Sequence, residues 1–206
     1  MNRAMQMTWP CMGIIVMVGL TAPAWAEDPP SKAPGELAVG TMEVGLSTGY
    51  LLPWQMPSGH TAKQQGAGAF PSFGVVLSET LGERWYRGQI ILGFEATYFA
   101  FRGPQLTHGS GAMPKFKYLF TGQDRLRPYM EFGVGPFFED IGGVLTRFQR
   151  INFSTMAGGG VSWFWKDRLA LNAGLRHYHF HYGGAGDRAL GANSFLPFVG
   201  VSYYIE

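Results

Sequence analysis

The 206-residue chain has one cysteine and lacks any apolar run long enough for a membrane-spanning helix. That cysteine, Cys11, opens the short apolar stretch CMGIIVMVGL (Cys11–Leu20), which is too short to cross a bilayer as a helix. Arg3 precedes the stretch and Ala24-Trp25-Ala26 has the small-x-small form of a cleavage site. Residues 1–26 are therefore predicted to be a secretory signal peptide, with an uncleaved inner-membrane anchor as the alternative. Its removal leaves no cysteine, so the exported chain needs no disulfide.

Charge is also scarce. Charged residues make up 15% of the chain and the net charge is +2, which gives no reason to expect nucleic acid as a partner. Apolar residues make up 46%, which excludes a disordered chain. The Pro-rich EDPPSKAP (Glu27–Pro34) shows no packing signal, and residues 27–38 are predicted to form a short periplasmic tail.

A convincing helical period is absent after residue 40, and what recurs is alternation of apolar with small or polar residues over about ten positions. Strands of this length and period are typical of a transmembrane barrel, in which closure pairs every backbone amide. Long and short connections alternate, as they do between the outer loops and periplasmic turns of such barrels. Residues 39–206 are therefore predicted to form an all-β, eight-stranded antiparallel outer-membrane β-barrel. The stretches are Val39–Leu52, Ser72–Leu81, Trp85–Phe101, Ala112–Phe120, Leu126–Phe138, Ile151–Trp165, Arg168–Tyr182 and Asn193–Ile205.

The alternation also predicts which face meets lipid. In Arg168–Tyr182 the odd positions begin with leucines and alanine, whereas the even positions include Asn172, Gly174 and Arg176. The apolar set is expected outside and the small or polar set in the narrow lumen. A soluble lipocalin-like barrel with the faces reversed is the alternative. An aromatic girdle is expected near the tight turns and the C-terminus, from Trp163, Trp165, Tyr203 and Tyr204.

Three glutamates, Glu43, Glu95 and Glu131, fall within predicted strands. They are expected to form interior salt bridges with Arg176 or Lys117 rather than a glycosidase pair.

The stretch LRHYHFHYGGAGDRALGANSF (Leu175–Phe195) carries three histidines at alternate positions. His177, His179 and His181 continue the lipid-facing row of their strand and are expected at the outer rim, where the leaflet is lipopolysaccharide. Asn193 opens the next strand on the same face, and hairpin counting puts Thr155 beside His177 or His179. Such a row could also bind Zn²⁺, or it could merely suit the membrane interface.

The second half of the chain resembles the outer-membrane lipid A 3-O-deacylases, or acyloxyacyl hydrolases. LRPYMEFGVGPFFED (Leu126–Asp140) and INFSTMAGGGVSWF (Ile151–Phe164) resemble the family's fifth and sixth strands. Arg176-His177-Tyr178-His179 and Gly191-Ala192-Asn193-Ser194 match the frame of its signature, which reads approximately R-x-x-H-x-S-N-A and then P-N-x-G-x-E/N-S. The spacing between the two parts is preserved without a gap.

The resemblance implies ester hydrolysis by a serine, a histidine that activates it and an acidic residue that orients the histidine. His179 occupies the place of the general base, His181 that of the serine and Asn193 that of the acid. Tyr182 and Ala189 replace asparagines of the signature, so whether this chain is an enzyme is open. The candidate catalytic residues are His179, His181 and Asn193, and no cofactor or metal is implied.

Two functions follow as hypotheses. The chain removes or recognises the acyl chain at position 3 of lipid A, or it is a non-catalytic structural or lipopolysaccharide-binding barrel. Either hypothesis makes it a membrane-embedded protein of the Gram-negative outer membrane, with lipid A or lipopolysaccharide as partner. A homodimer is a further candidate assembly.

Overall fold

The structure, a computed structural model, describes residues 36–54, 65–102, 107–123, 125–140, 152–181 and 191–206. The predicted signal peptide and most of the predicted tail lie outside these ranges, as do Tyr182 and Ala189. Among the described residues, no helix has the length and apolar character needed to cross a membrane.

Eight antiparallel strands form one closed barrel in which β1 pairs with both β2 and β8. This confirms the fold predicted from the alternating pattern. The strands are β1 (Met42–Pro53), β2 (Gly66–Val76), β3 (Gly88–Phe101), β4 (Thr107–Phe120), β5 (Leu126–Asp140), β6 (Asn152–Lys166), β7 (Leu169–His181) and β8 (Gly191–Ile205).

The connection between β2 and β3 differs most from the expectation. β2 begins at Gly66 rather than Ser72, and it ends at Val76 rather than Leu81. β2 can contain Pro71 because its pairing with β3 is interrupted at Phe70 and Pro71. Proline has no N–H, and at this position no hydrogen bond to β3 is lost. After Val76 the chain makes a longer turn, since Gly82 and Arg84 both have positive φ angles that an extended strand cannot accommodate.

The outside of the barrel is apolar. Its exposed side chains include Val44, Leu46, Phe73, Phe94, Phe116, Met130, Phe132, Leu171, Leu175, Val199 and Val201. Trp163, Trp165 and Tyr203 are exposed near the short-turn end, as expected of an aromatic girdle. Tyr204 is a correction: it is buried in the lumen against Phe164, at a ring distance of 5.2 Å, because it is an even, inward-facing position.

The lumen holds a layer of paired charges, as predicted for the three glutamates. Arg176 binds Glu131 through Nε at 2.7 Å and Glu95 through Nη2 at 3.0 Å. Lys115 reaches Glu95 at 2.7 Å, and Lys117 reaches Glu43 at 2.8 Å. A charged lumen inside an apolar exterior is the reverse of a lipocalin-like barrel, so the soluble alternative is wrong.

Aromatic side chains pack in the lumen between this charged layer and the long-loop end. Phe99 contacts Phe70, Phe137, Tyr178 and Phe180 with ring centroids 5.2–6.0 Å apart. Tyr178 and Phe180 belong to β7 and alternate with the outward histidines. The interior packing therefore fixes the wall of the barrel behind the histidine row.

At the short-turn end, residues that precede β1 are held against the barrel. The Leu37 amide donates to Gln89 Oε1 at 3.0 Å, and Gln89 Nε2 donates to the Leu37 carbonyl at 2.8 Å. Glu36 forms an ion pair with Arg87 and accepts a hydrogen bond from Thr80. These contacts attach the start of the described chain to the β2–β3 turn.

A charge placed on the outside at mid-strand should destabilise the protein in a bilayer. Phe132 is 51% exposed in the middle of β5, whereas Phe138 lies toward its long-loop end. Phe132→Arg is expected to lower the free energy of unfolding by about 2–4 kcal/mol, and Phe138→Arg by about 0–1 kcal/mol. Urea unfolding in phospholipid vesicles measures both. Equal effects of the two variants would contradict the membrane orientation.

Candidate functional site

Three polar side chains form one row across β6, β7 and β8 near the long-loop end. The pairing register sets Thr155 opposite His179, and His179 opposite Asn193. Thr155 and His179 are half-buried, while their inward neighbours Ser154, Met156, Tyr178 and Phe180 are buried in the lumen. The row therefore belongs to the outer face, which is where alternation predicted the histidines.

His179 and Asn193 are hydrogen-bonded. His179 Nδ1 lies 2.9 Å from Asn193 Oδ1. Because an amide oxygen can only accept, the proton of this bond belongs to Nδ1, which leaves Nε2 as an acceptor. Asn193 is only 5% exposed although it is on the outer face, so its amide is held in place beside the imidazole. The pair thus has the geometry of a base and the group that orients it.

An aromatic group borders Asn193 on the side of β1. Trp54 follows β1, and its backbone amide donates to the Asn193 carbonyl at 3.0 Å. Its ring lies 5.2 Å from Phe195 and 6.0 Å from His177. Sequence reasoning did not include Trp54, because its position depends on the closing β1–β8 pairing, in which Leu52 is opposite Phe195.

His181 lies one step nearer the rim than His179. It is exposed and pairs with Gly191 on one side and Phe153 on the other. Its ring centroid is 6.4 Å from that of His179, which exceeds the reach of a direct ring-to-ring hydrogen bond. The structure thus brings His179 and Asn193 into contact and leaves His181 outside that contact.

The described residues contain no group of three histidine, cysteine or acidic side chains that could hold a metal ion. His177 is hydrogen-bonded to the Asn193 side chain as well, but its Nε2 is buried without a hydrogen-bond partner. Its ring packs instead against Trp54 and Phe195, at 6.0 and 5.5 Å. The three histidines are therefore distinct in their surroundings despite their regular spacing.

Comparison with known proteins establishes the architecture. No family model matches the chain, and no curated protein matches it. Its structure is similar to the crystal structure of Neisserial surface protein A (NspA), with a TM-score of 0.60 and 16% identity over 80% of this chain and 98% of that chain. It is also similar to the crystal structure of the outer membrane enzyme PagL, with a TM-score of 0.54 and 18% identity over 77% of this chain and 97% of that one.

A third similar structure is the N-terminal β-barrel domain of Pseudomonas aeruginosa OprF, with a TM-score of 0.53 and 14% identity over 81% and 98% of the two chains. The fold is that of small outer-membrane barrels. At these identities the likeness concerns the fold alone, and these neighbours include an outer-membrane enzyme and a surface protein.

The orienting group offers a direct test of the site. Asn193 holds His179 by a neutral acceptor, which stabilises an imidazolium less than a carboxylate does. For the ester hydrolysis that the sequence resemblance implies, Asn193→Asp is expected to raise kcat at least about tenfold, and Asn193→Leu to lower it about tenfold or more, both with little change in KM. Initial rates against substrate concentration separate the two constants. A change confined to KM would assign Asn193 to substrate binding instead.

Proposed function

We propose that the chain is a lipid A 3-O-deacylase-like protein of the Gram-negative outer membrane, exported by the signal peptide of residues 1–26. The observation that carries the proposal is the hydrogen bond from His179 Nδ1 to Asn193 on the outer face of the barrel. It leaves Nε2 of His179 free to take a proton from an attacking hydroxyl group or water. The substrate class follows from the location, since an outward-facing site at the rim meets lipids rather than solutes.

The filled interior of the barrel favours a site on its outer surface and disfavours a transport channel. Paired charges and packed aromatic rings occupy the lumen from the middle of the barrel toward the long loops. A barrel of eight strands has an interior just wide enough for such side chains. A role in bulk solute transport is therefore disfavoured, and chemistry is expected on the outside.

The chemistry proposed is hydrolysis of the ester that links an acyl chain to position 3 of lipid A. His179 acts as general base and Asn193 as the residue that positions it. His181 stands at the position of the serine in the family that the sequence resembles, so the attacking oxygen has to come from another group. The reaction consumes one water and releases one fatty acid.

Lipid A from cells with and without the overexpressed protein tests the proposal. Mass spectrometry should show a species that lacks the acyl chain at position 3, and the species should be absent when the His179→Gln variant is present in the outer membrane in equal amount. Unchanged lipid A in the presence of folded wild-type protein would exclude the deacylase function.

The second candidate is a non-catalytic barrel that binds lipopolysaccharide. It is favoured by the exposed imidazole of His181, at the position where the enzymes that the sequence resembles have their serine. On this alternative the wild-type protein binds lipid A vesicles without changing them, while His181→Ser gains deacylation. Hydrolysis by the wild-type protein would reject it.

A further inference from the structure

We propose that Thr155 is the nucleophile of this site, an inference that rests on the proposed ester hydrolysis. The cross-strand register sets Thr155, His179 and Asn193 in one line on three neighbouring strands. Directly opposed residues in an antiparallel pair have Cβ atoms about 4.5–5.5 Å apart, which brings a hydroxyl and an imidazole within reach of each other. The line therefore has the order of nucleophile, base and orienting group.

The orientation of the imidazole supports this order. Nδ1 is turned toward β8, where it donates to Asn193. In an imidazole ring Nε2 lies on the edge that carries Cδ2, opposite the edge of Nδ1. With Nδ1 toward β8, the free acceptor of His179 is on the ring edge away from Asn193, and β6 with Thr155 lies on that side of β7.

The surroundings of Thr155 point the same way. On the described outer faces of β6, β7 and β8, Thr155 carries the one aliphatic hydroxyl, since Ser154, Ser162, Ser194 and Ser202 are buried on the inner face. Thr155 is half-buried, whereas Phe153 and Ala157, its outward neighbours on β6, are exposed. The next outward positions toward the short-turn end are Ala157 and Gly159, so on that side no large side chain of its own strand blocks an approaching ester.

The reaction balances without a metal or redox partner. His179 Nε2 takes the proton of Thr155 Oγ1 as that oxygen attacks the carbonyl carbon of the acyl ester. The tetrahedral adduct collapses with cleavage of the bond to the 3-oxygen of the sugar, which receives the proton from Nε2. An acyl-threonine remains; a water that gives its proton to Nε2 attacks it, and the fatty acid leaves as the proton returns to Oγ1.

Three variants of the full-length protein, purified in detergent and assayed on lipid A in mixed micelles, test the inference. Thr155→Val keeps the shape but removes the hydroxyl, and its hydrolysis rate is expected to fall at least about a thousandfold. Thr155→Ser restores the hydroxyl and should stay within about tenfold of wild type. Thr48→Val, at an outer-face threonine of β1, is the matched control and should leave the rate unchanged.

Intact-protein and peptide mass spectrometry add a readout that a structural role would not produce. The wild-type protein, quenched during turnover, should carry one fatty acyl group on Thr155, and Thr155→Val should carry none. Hydrolysis by wild type and Thr155→Val at equal rates, without an acyl adduct, would overturn the inference while the proposed function stands. No hydrolysis by wild-type protein would overturn the proposed function itself.

Discussion

Replacement of His179 by glutamine is expected to lower the rate of lipid A deacylation by about 10²- to 10⁴-fold, the usual contribution of a general base. Glutamine has a side chain that can still bond to Asn193, but its amide cannot accept a proton at neutral pH. The variant therefore removes the basic nitrogen and leaves the outer face of β7 otherwise similar. Initial rates with purified protein and lipid A in mixed micelles measure the effect.

His108→Gln is the matched control for this variant. His108 is an exposed residue of β4 near the same long-loop end, and its Nδ1 lies 2.7 Å from the hydroxyl oxygen of Tyr98 rather than beside Asn193. Its rate is expected to stay within about threefold of wild type. Equal losses in the two variants would mean that histidines on the outer face act on the membrane interface in general, and that His179 has no separate chemical role.

The facing of the strands could be read from the sequence because the period of a strand is two. In β7 the leucines predicted the outward set, and the same parity put Arg176 in the lumen and the histidines outside. The paired glutamates followed from the same argument, since a carboxylate on an inward position requires a partner. The girdle prediction was wrong at Tyr204 because it ignored this parity, which puts Tyr204 on the inward face.

Partners across the barrel could be read only in part. The sequence predicted Lys117 or Arg176 as partners of the glutamates without assigning the pairs, and in the structure Glu43 of β1 is bound to Lys117 of β4. The packing of Trp54 beside Phe195 of β8 was not predicted. Both contacts depend on closure, which brings together residues with no common turn between them. The β2–β3 turn was also misjudged, because the positive φ angles of Gly82 and Arg84 lengthen a connection that local composition predicts to be short.

The candidate site was easier to foresee than these contacts, because it lies on neighbouring strands. His179 and Asn193 flank one hairpin loop, and Thr155 lies on the strand that precedes them. Counting residues along the strands from the turns predicts that Thr155, His179 and Asn193 are neighbours, to within one pair of outward positions. The sequence does not predict the orientation of the His179 ring, because it does not show which ring nitrogen bonds to the Asn193 side-chain oxygen.

Replacement of Arg176 by methionine is expected to lower the free energy of unfolding by about 3–5 kcal/mol, the usual effect of breaking a buried ion pair. Arg176 is 2% exposed and binds the carboxylates of both Glu95 and Glu131. In the variant the two carboxylates keep Lys115, whose Nζ is 2.7 Å from Glu95 and 3.7 Å from Glu131. Urea unfolding of the barrel in vesicles, followed by the shift in gel mobility of unheated samples, measures the loss.

The contribution of the buried charge can be separated from that of the packing. Arg168→Met removes an exposed pair with Glu206, 3.5 Å long, and should cost less than about 1 kcal/mol. Arg176→Met combined with Glu131→Gln removes the carboxylate left without its arginine, so the double variant should be more stable than Arg176→Met alone, by about 1–3 kcal/mol. If the second substitution instead added to the loss, Glu131 would still be stabilising the barrel through Lys115, 3.7 Å away, without the arginine. Deacylation by the folded fraction should be unchanged in either case, because the charged layer faces the lumen and the candidate site faces the lipid.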